Sequence, residues 1–204
     1  MRDKPFFAKD VELIDRQTVY NGFFKMDKLR VKHRLFAGGW STDIDRELFV
    51  RGSAVAAVLY DPEHQLIGLV EQFRIGVLDD SLNDPQLRPW CMEVVAGMVE
   101  PNESEEEVIL RELQEEAGIV PQKLQMICHY YASPGGTNER LTLYCAIADL
   151  SKTGGLYGLA EEGEDIRFLT IPENDVFKDL YSRDYNNAAT LICLQWLQIH
   201  KDQL

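Results

Sequence analysis

One segment constrains the fold of this chain more than any other: residues 97–119 read GMVEPNESEEEVILRELQEEAGI. Its apolar side chains recur at helical spacing, and the glutamates of its first turn suit the positive end of a helix dipole. Gly118 can adopt the left-handed conformation that commonly ends a helix. The segment therefore predicts an amphipathic helix from about Ser104 to Ala117, with one apolar face turned toward a core.

The same helix predicts a cluster of carboxylates. Glu112, Glu115 and Glu116 stand at positions i, i+3 and i+4, so their side chains share one helix face. Adjacent carboxylates repel one another, whereas hard cations such as Mg²⁺ or Mn²⁺ bind oxygen ligands, often together with substrate phosphates. Arg111 can pair with Glu115 one turn on and hold it in place. The spacing indicates a cation site.

The distribution of charge supports the same interpretation. The net charge is −13, from 21 basic and 34 acidic residues. Residues 100–116 and 161–165 together carry −11 of it, which leaves the rest of the chain nearly neutral. An acidic balance of this kind disfavours binding to a nucleic-acid backbone. Its concentration in two short segments indicates bound cations.

Two further features extend this site. Gly97 is expected to allow a tight bend after a strand, which leaves the carbonyl of Ala96 available as another ligand. The second acidic segment, residues 161–165 (EEGED), lies on a loop before a strand. A general base for attack by water must lie within hydrogen-bond reach of that water, and this loop offers candidates.

The remaining pattern predicts a mixed α+β domain. Further helices are expected from near Pro172, which suits a first helical position, and over 187–200, capped by Asn186 or Asn187. Strands outnumber helices and do not alternate regularly with them, which favours a mixed-sheet sandwich. We expect the strands at 11–20, 28–35, 46–51, 53–60, 65–73, 91–96, 124–131, 140–148 and 166–171.

Nothing in the sequence indicates targeting or a membrane. The amino terminus is charged and lacks an apolar signal region, and no stretch has the length of apolar residues that a membrane helix needs. The cysteines lie far apart with no C-x-x-C pair, so neither a disulfide framework nor a zinc site is expected. We expect a cytoplasmic protein.

Residues 97–119 resemble the Nudix box at every defined position. Ser133-Pro134-Gly135-Gly136, followed by Glu139-Arg140, marks the ADP-ribose pyrophosphatase subgroup of that family. Segments across the whole chain fit this subgroup, including EQFR at 71–74 and NNAATLICLQWLQIH at the carboxyl end. The matching residues of the box are Gly97, Glu103, Arg111, Glu112, Leu113, Glu115, Glu116, Gly118 and Ile119.

The resemblance implies an architecture and an activity. It implies the α+β Nudix fold, a mixed β-sheet sandwich between helices, with residues 1–51 forming an amino-terminal antiparallel sheet for dimerisation and substrate contacts. Residues 52–204 would form the Nudix hydrolase domain. The implied assembly is a homodimer with shared active sites, in which Arg46 and Arg51 serve the neighbour's site. The implied reaction is Mg²⁺-dependent hydrolysis of ADP-ribose to AMP and ribose 5-phosphate.

The resemblance also implies residue roles. Two or three Mg²⁺ ions, with Mn²⁺ as a substitute, would be bound by the Ala96 carbonyl, Glu112, Glu116 and Glu164. Glu162 would be the general base, assisted by Glu115 and Arg111. Phe23 and Phe24 would border the adenine. The other implied substrate contacts are Arg46, Glu47, Arg51, Arg74, Met98, Ser133, Gly135 and Glu139.

Three alternatives stay open at the level of sequence. A GDP-mannose or other nucleotide-sugar diphosphatase shares the feature at 133–136. A non-catalytic Nudix ligand sensor would typically lose box glutamates that are present here, and an enzyme for oxidised nucleoside triphosphates would usually be shorter. Residues 76–90 form a longer loop than the resemblance implies, and this loop could reshape the mouth of the site.

Overall fold

The computed structural model describes residues 5–204, apart from the side chain of Glu162. The chain divides into two compact units. One comprises Met1–Gly52 with Tyr131–Glu139, and the other comprises Ser53–Tyr130 with Arg140–Leu204.

The first unit is built on a three-stranded antiparallel sheet in the order β1-β2-β3. Its strands are β1 (Val11–Asn21), β2 (Lys25–His33) and β3 (Ile44–Val50). The predicted small antiparallel sheet is therefore confirmed, although β2 begins three residues earlier than expected. The 131–139 segment joins this unit through its backbone, because the Phe49 N–H donates to the Gly136 carbonyl at 2.8 Å.

The second unit contains a mixed sheet with the path β10-β11-β5-β4-β9-β8. β4 and β9 pair in parallel, whereas β11, β5 and β4 pair antiparallel. β6 pairs with β5, and β7 pairs with β4. The strands are β4 (Ser53–Asp61), β5 (Leu66–Phe73), β6 (Trp90–Glu93), β7 (Val95–Met98), β8 (Lys123–Tyr131), β9 (Arg140–Ile147), β10 (Gly155–Tyr157) and β11 (Ile166–Pro172).

Four α-helices accompany this sheet: α1 (Leu78–Asn83), α2 (Glu105–Ala117), α3 (Glu173–Lys178) and α4 (Ala188–His200). The predicted ends of α2 are confirmed. Ser104 caps it in a capping box with Glu107, and Gly118 ends it with a φ of 67°. At α4, Asn187 accepts a hydrogen bond from the Thr190 N–H, which settles the choice between the two asparagines.

Alternation along β4 explains the layered arrangement. Val55, Ala57 and Leu59 belong to one buried cluster, which also contains Val108, Ile109, Leu113 and Ala117 of α2. The intervening residues of β4 belong to a second cluster, which contains residues of α3 and α4. A strand that is buried on both faces needs a nearly continuous apolar sequence, as residues 53–60 have. The mixed α+β sandwich between helices is therefore confirmed.

Three details differ from the sequence-based expectation. Residues 91–96 are two strands, β6 and β7, and the Val94 N–H at the change of partner strand donates to the Thr190 hydroxyl at 3.1 Å. Pro172 ends β11 and precedes α3 rather than starting it. The 76–90 loop contains α1, and β10 was not expected.

Within residues 5–204, no helix is both long enough and apolar enough to cross a membrane.

Candidate active site

The carboxylates of α2 lie at the centre of the candidate site. Glu116 is 3% exposed, and its Oε2 accepts the backbone N–H of Ala96 at 3.2 Å. Burial raises the pKa of the Glu116 carboxyl to about 8, and the charges of Glu112 and Glu164 act in the same direction. One hydrogen bond thus leaves a buried carboxyl with little to stabilise its ionised form.

The Glu112 side chain lies against β7 at Gly97, the position without a side chain. A Cβ added at Gly97 would come within 2.1 Å of the Glu112 Oε1 atom. Gly97 lies inside β7 without a positive φ, so the tight bend expected there is wrong. Its missing side chain instead admits the carboxylate. Burial raises the pKa of the Glu112 carboxyl to about 7, with Glu115 and Glu164 adding to the shift.

Arg111 ties two of these carboxylates together. Its Nη1 atom lies 2.9 Å from the Glu115 Oε2 and 3.0 Å from the Glu112 Oε1. The predicted pairing with Glu115 is confirmed, and the contact with Glu112 is additional. The Arg111 charge opposes the rise in the pKa of Glu112 but does not cancel it. Arg111 therefore holds the Glu112 and Glu115 side chains in place without neutralising the charge of the cluster.

The second acidic segment contributes Glu164. This carboxylate raises the pKa of both Glu112 and Glu116, behind burial as the main cause, so the loop and the helix bring their charges together. Its Oε2 accepts the Leu159 N–H at 3.0 Å, which fixes the side chain across the loop. Glu162 ends a 3-10 helix over Ala160–Glu162, and its side chain lies outside the described part of the structure.

The donor set fits a divalent cation. Three carboxylates are close enough to interact electrostatically, since Glu164 acts to raise the pKa of both partly buried Glu112 and buried Glu116. Such an arrangement is unfavourable without a counter-charge, and oxygen ligands of this type suit Mg²⁺ or Mn²⁺. The raised pKa values of Glu112 and Glu116 and the open position at Gly97, which the Glu112 carboxylate occupies, both agree with a bound cation. The Ala96 backbone lies at the cluster through its hydrogen bond to Glu116.

A basic residue directly after β5 borders the cluster. Arg74 donates from Nε to the Glu93 Oε2 at 2.6 Å, and its charge acts to lower the pKa of Glu116. Glu93 also accepts the Asn187 Nδ2 at 3.2 Å. Sequence reasoning predicted Arg74 but missed Glu93 and Asn187 as its supports. A charged residue at 93 within an otherwise apolar strand was the available signal.

In the first unit, aromatic rings and one arginine form a separate cluster. Phe24 meets Phe23 and Phe49 edge-on, with centroids 4.7 and 5.2 Å away. The Arg51 guanidinium lies 4.3 Å from the centroid of the Phe24 ring and bonds Glu139 at 2.7 Å. Phe23 is 88% exposed, so it is not a core residue. The structure brings together four of the predicted substrate residues here.

The other predicted substrate residues lie in a turn or on exposed parts of strands. Ser133 begins a turn in which the Gly136 and Thr137 N–H groups donate to its carbonyl. Gly135 has open space where a Cβ would stand. Arg46 and Glu47 are exposed neighbours on β3, so their side chains point to opposite faces, and Met98 is exposed at the end of β7.

Among the described residues, a different group has ligand atoms close enough together to hold a metal ion. Ligand atoms of Asp61, His64 and Asp149 lie within 4.8 Å of one another. Asp61 already accepts hydrogen bonds from the Glu63, His64 and Leu150 backbone N–H groups and from His64 Nδ1. Its lone pairs are therefore used within the protein, which distinguishes it from Glu116.

Comparison with known proteins decides the family. The model of the NUDIX domain matches residues 50–191. This chain belongs to the Nudix family. The match contains α2, both acidic segments and most of the sheet, so the predicted family is confirmed. A solved structure described as an ADP compounds hydrolase covers 98% of this chain and of its own chain with a TM-score of 0.69, at 17% identity, which supports the Nudix fold.

The relatives extend over nearly the whole chain. An ADP-ribose pyrophosphatase of Escherichia coli strain K12 is 41% identical over 199 residues, which cover 98% of this chain and 93% of the relative. The ADP-ribose pyrophosphatase of Haemophilus influenzae is 40% identical, with coverage of 98% and 91%. A GDP-mannose pyrophosphatase of Yersinia enterocolitica is 28% identical, with coverage of 93% and 96%. The predicted resemblance to the ADP-ribose pyrophosphatase subgroup is confirmed.

Proposed function

We propose that this Nudix protein hydrolyses the diphosphate of ADP-ribose to AMP and ribose 5-phosphate. The observation that carries the proposal is the group Glu112, Glu116 and Glu164, in which burial and neighbouring like charges raise the pKa of partly buried Glu112 and of buried Glu116. Such a site needs cations and suits a ligand that brings phosphates. The extent and degree of identity to ADP-ribose pyrophosphatases support ADP-ribose over GDP-mannose as the substrate.

Mg²⁺ is the proposed cofactor, with Mn²⁺ as a substitute and two or three ions per site. The Ala96 carbonyl, Glu112, Glu116 and Glu164 would hold them. When bound, the ions offset charge on the diphosphate and stabilise its increase in the transition state.

The protein's own groups would then handle the proton. Glu162, on the 3-10 helix next to Glu164, accepts a proton from water. The water oxygen bonds to one phosphorus as the bridging P–O bond breaks, and AMP and ribose 5-phosphate leave. Glu115, held by Arg111, helps to order water around the cations.

We further propose that Phe23, Phe24, Arg51 and Glu139 bind the nucleotide and ribose portions of the substrate. An arginine stacked on a phenylalanine ring, next to a second exposed ring, forms an aromatic surface suited to a base. Arg46, Glu47, Arg74, Met98, Ser133 and Gly135 stay in the proposed binding set. Residues 1–51 are proposed as the dimerisation and substrate-contact segment, and 52–204 as the Nudix hydrolase domain.

The proposed assembly is a homodimer with shared active sites. Every residue of β1 is exposed in the single chain, including Val11, Leu13, Val19 and Tyr20. Exposed apolar side chains on one strand support a covering partner. Light scattering coupled to size exclusion tests it: a mass near twice 23.4 kDa is expected. A monomer at working concentration would contradict the proposed assembly.

The four free cysteines favour a cytoplasmic location.

Product analysis tests the substrate. ADP-ribose, GDP-mannose, ADP-glucose, NADH and dGTP are incubated with and without Mg²⁺, and the products are separated by chromatography. We expect the fastest Mg²⁺-dependent conversion for ADP-ribose, to AMP and ribose 5-phosphate. A preference for GDP-mannose would overturn the substrate, and ADP-ribose binding without any turnover would favour a ligand sensor.

A matched pair of variants tests the general base. Glu162→Gln is expected to lower kcat by roughly 10²–10⁴, the usual range for loss of general-base catalysis, while Mn²⁺ binding stays nearly intact. Glu161→Gln, the neighbouring residue of the same 3-10 helix, serves as the control and should retain turnover. Near-normal kcat in Glu162→Gln would show that another group is the base.

A further inference from the structure

A buried amide on β5 lacks a partner. Gln72 is 7% exposed, and its Nε2 atom is fully buried without a hydrogen-bond acceptor among the residues that the structure describes. A carboxamide that leaves water without gaining an acceptor destabilises the folded protein, so native structures contain few such groups. The position therefore calls for an acceptor that the described chain does not supply.

The strand geometry places this amide on the side of the sheet that faces α2. Val70, Gln72 and Arg74 alternate along extended backbone, so their side chains follow one face. Val70 packs in the buried cluster that contains the apolar residues of α2. Arg74, at the other end of the row, acts on the pKa of Glu116. Gln72 thus lies between Val70 and Arg74 on this face of the sheet.

Donors are scarce at this location. Glu112, Glu116 and Glu164 offer only acceptor oxygens when they are ionised, and a diphosphate offers only acceptors as well. Arg74 has its Nε occupied by Glu93, whereas its two Nη atoms make no hydrogen bond within the described residues. A phosphate that enters beside the cations therefore needs neutral and cationic N–H donors on its remaining side.

We propose that the Gln72 carboxamide is a substrate-binding group that donates its Nε2 hydrogen to a non-bridging phosphate oxygen next to Arg74. The inference rests on the proposed function only in taking a nucleotide diphosphate as the ligand. Gln72 supplies a neutral donor at a buried position where a second cation would be costly to desolvate. Arg74 supplies the charge from the more exposed position.

The test uses two substitutions at 72 and a matched control. Gln72→Met keeps an unbranched side chain of similar size but removes the amide. Gln72→Glu keeps the shape and places a carboxylate against the phosphate. Gln125→Met alters another strand glutamine in the same unit, on β8.

Binding of inorganic pyrophosphate and of adenosine, neither of which is the proposed substrate, is measured by calorimetry on the full-length protein at fixed Mg²⁺. Gln72→Met is expected to weaken pyrophosphate binding about 10-fold and to leave adenosine binding unchanged, the scale of one hydrogen bond to a charged acceptor. Gln72→Glu should weaken it further. Gln125→Met should change neither.

Steady-state kinetics with Mg²⁺ and ADP-ribose supply a second readout. Because the donor contacts the bound substrate before the reaction, Gln72→Met should raise KM about 10-fold with kcat nearly unchanged. Unchanged pyrophosphate binding and an unchanged KM would overturn the proposal, whatever the melting temperature.

The outcomes separate this proposal from the substrate assignment. If ADP-ribose is not hydrolysed but Gln72→Met still weakens pyrophosphate binding, Gln72 keeps its role and the substrate is wrong. If ADP-ribose is hydrolysed and Gln72→Met behaves as Gln125→Met does, the substrate stands and the role of Gln72 is wrong. Should Gln72→Met fail to fold, Gln72→Glu preserves the shape and carries the same comparison.

Discussion

Asp61 and Glu116 are equally buried, each at 2–3% exposure, yet their carboxyl groups are perturbed in opposite directions. Burial would raise the pKa of Asp61, but hydrogen bonds from Leu150 and His64 outweigh it and hold that pKa below its ordinary value. Glu116 has one backbone donor, and burial raises its pKa to about 8. The number of internal hydrogen-bond donors thus distinguishes Asp61, whose carboxylate stabilises a turn, from Glu116, whose carboxylate is suited to bind a cation.

If the closeness of ligand atoms were the only criterion, the Asp61 turn would be the better candidate for a metal site than the α2 carboxylates. Among the residues that the structure describes, Asp61, His64 and Asp149 are the group whose ligand atoms lie within 4.8 Å of one another. However, their charges are already matched, since Asp61 raises the pKa of His64 by hydrogen bonding to it. In the cluster of Glu112, Glu116 and Glu164, the nearby positive charges do not offset the effect of burial, because the pKa values of Glu112 and Glu116 stay raised. The difference predicts which region serves catalysis and which serves stability.

The largest expected difference is in turnover. Glu112→Gln and Glu116→Gln each should lower kcat/KM by about 10²–10³, because a catalytic cation contributes several kcal/mol to transition-state stabilisation. Asp61→Asn should leave kcat/KM unchanged at a temperature where it stays folded. Initial-rate assays at fixed Mg²⁺ measure this, and an equal loss in Asp61→Asn would erase the distinction.

The next difference is in folding stability. Asp61→Asn is expected to lower the free energy of unfolding by about 1–3 kcal/mol, since an amide cannot accept all the donors that Asp61 satisfies. Urea denaturation followed by circular dichroism measures the change. A wild-type midpoint with an unchanged m-value would show that the turn does not depend on this carboxylate.

The opposite sign is expected at Glu116. In metal-free protein near neutral pH, Glu116→Gln should raise the free energy of unfolding by roughly 1–2 kcal/mol, because a carboxyl whose folded pKa lies above its unfolded value destabilises the fold at that pH, while the amide oxygen can still accept the Ala96 N–H. Adding Mg²⁺ should stabilise wild type more than the variant. Destabilisation of the metal-free variant would contradict this account of the cluster.

The smallest effect concerns His64 and pH. Its pKa is raised by the hydrogen bond to Asp61, with Glu63 and Asp149 adding to the shift. The pair therefore contributes stability fully below the unfolded value of about 6.5 and loses it as pH rises through the higher folded pKa. The melting temperature of wild type minus that of His64→Asn should shrink between pH 6 and 9. A constant difference would mean that the ring is neutral throughout.

Sequence predicted what local pattern controls. The caps of α2, the Arg111–Glu115 pair and the sheet of the first unit follow from short-range spacing, and the structure confirms them. The role of Gly97 did not follow, because the approach of Glu112 to β7 is a tertiary contact. The roles of Gln72 and Glu93 did not follow either, because their surroundings depend on contacts with residues distant in sequence.

Manganese binding distinguishes the α2 carboxylates from the Asp61 turn as the cation site. Free Mn²⁺ is quantified by electron paramagnetic resonance while it is titrated into metal-free wild type, Glu116→Gln and Asp61→Asn. The account predicts tight binding by wild type and Asp61→Asn and a large loss of affinity in Glu116→Gln. Retained binding in Glu116→Gln together with loss in Asp61→Asn would contradict it, and would assign the cation to the turn instead of the helix.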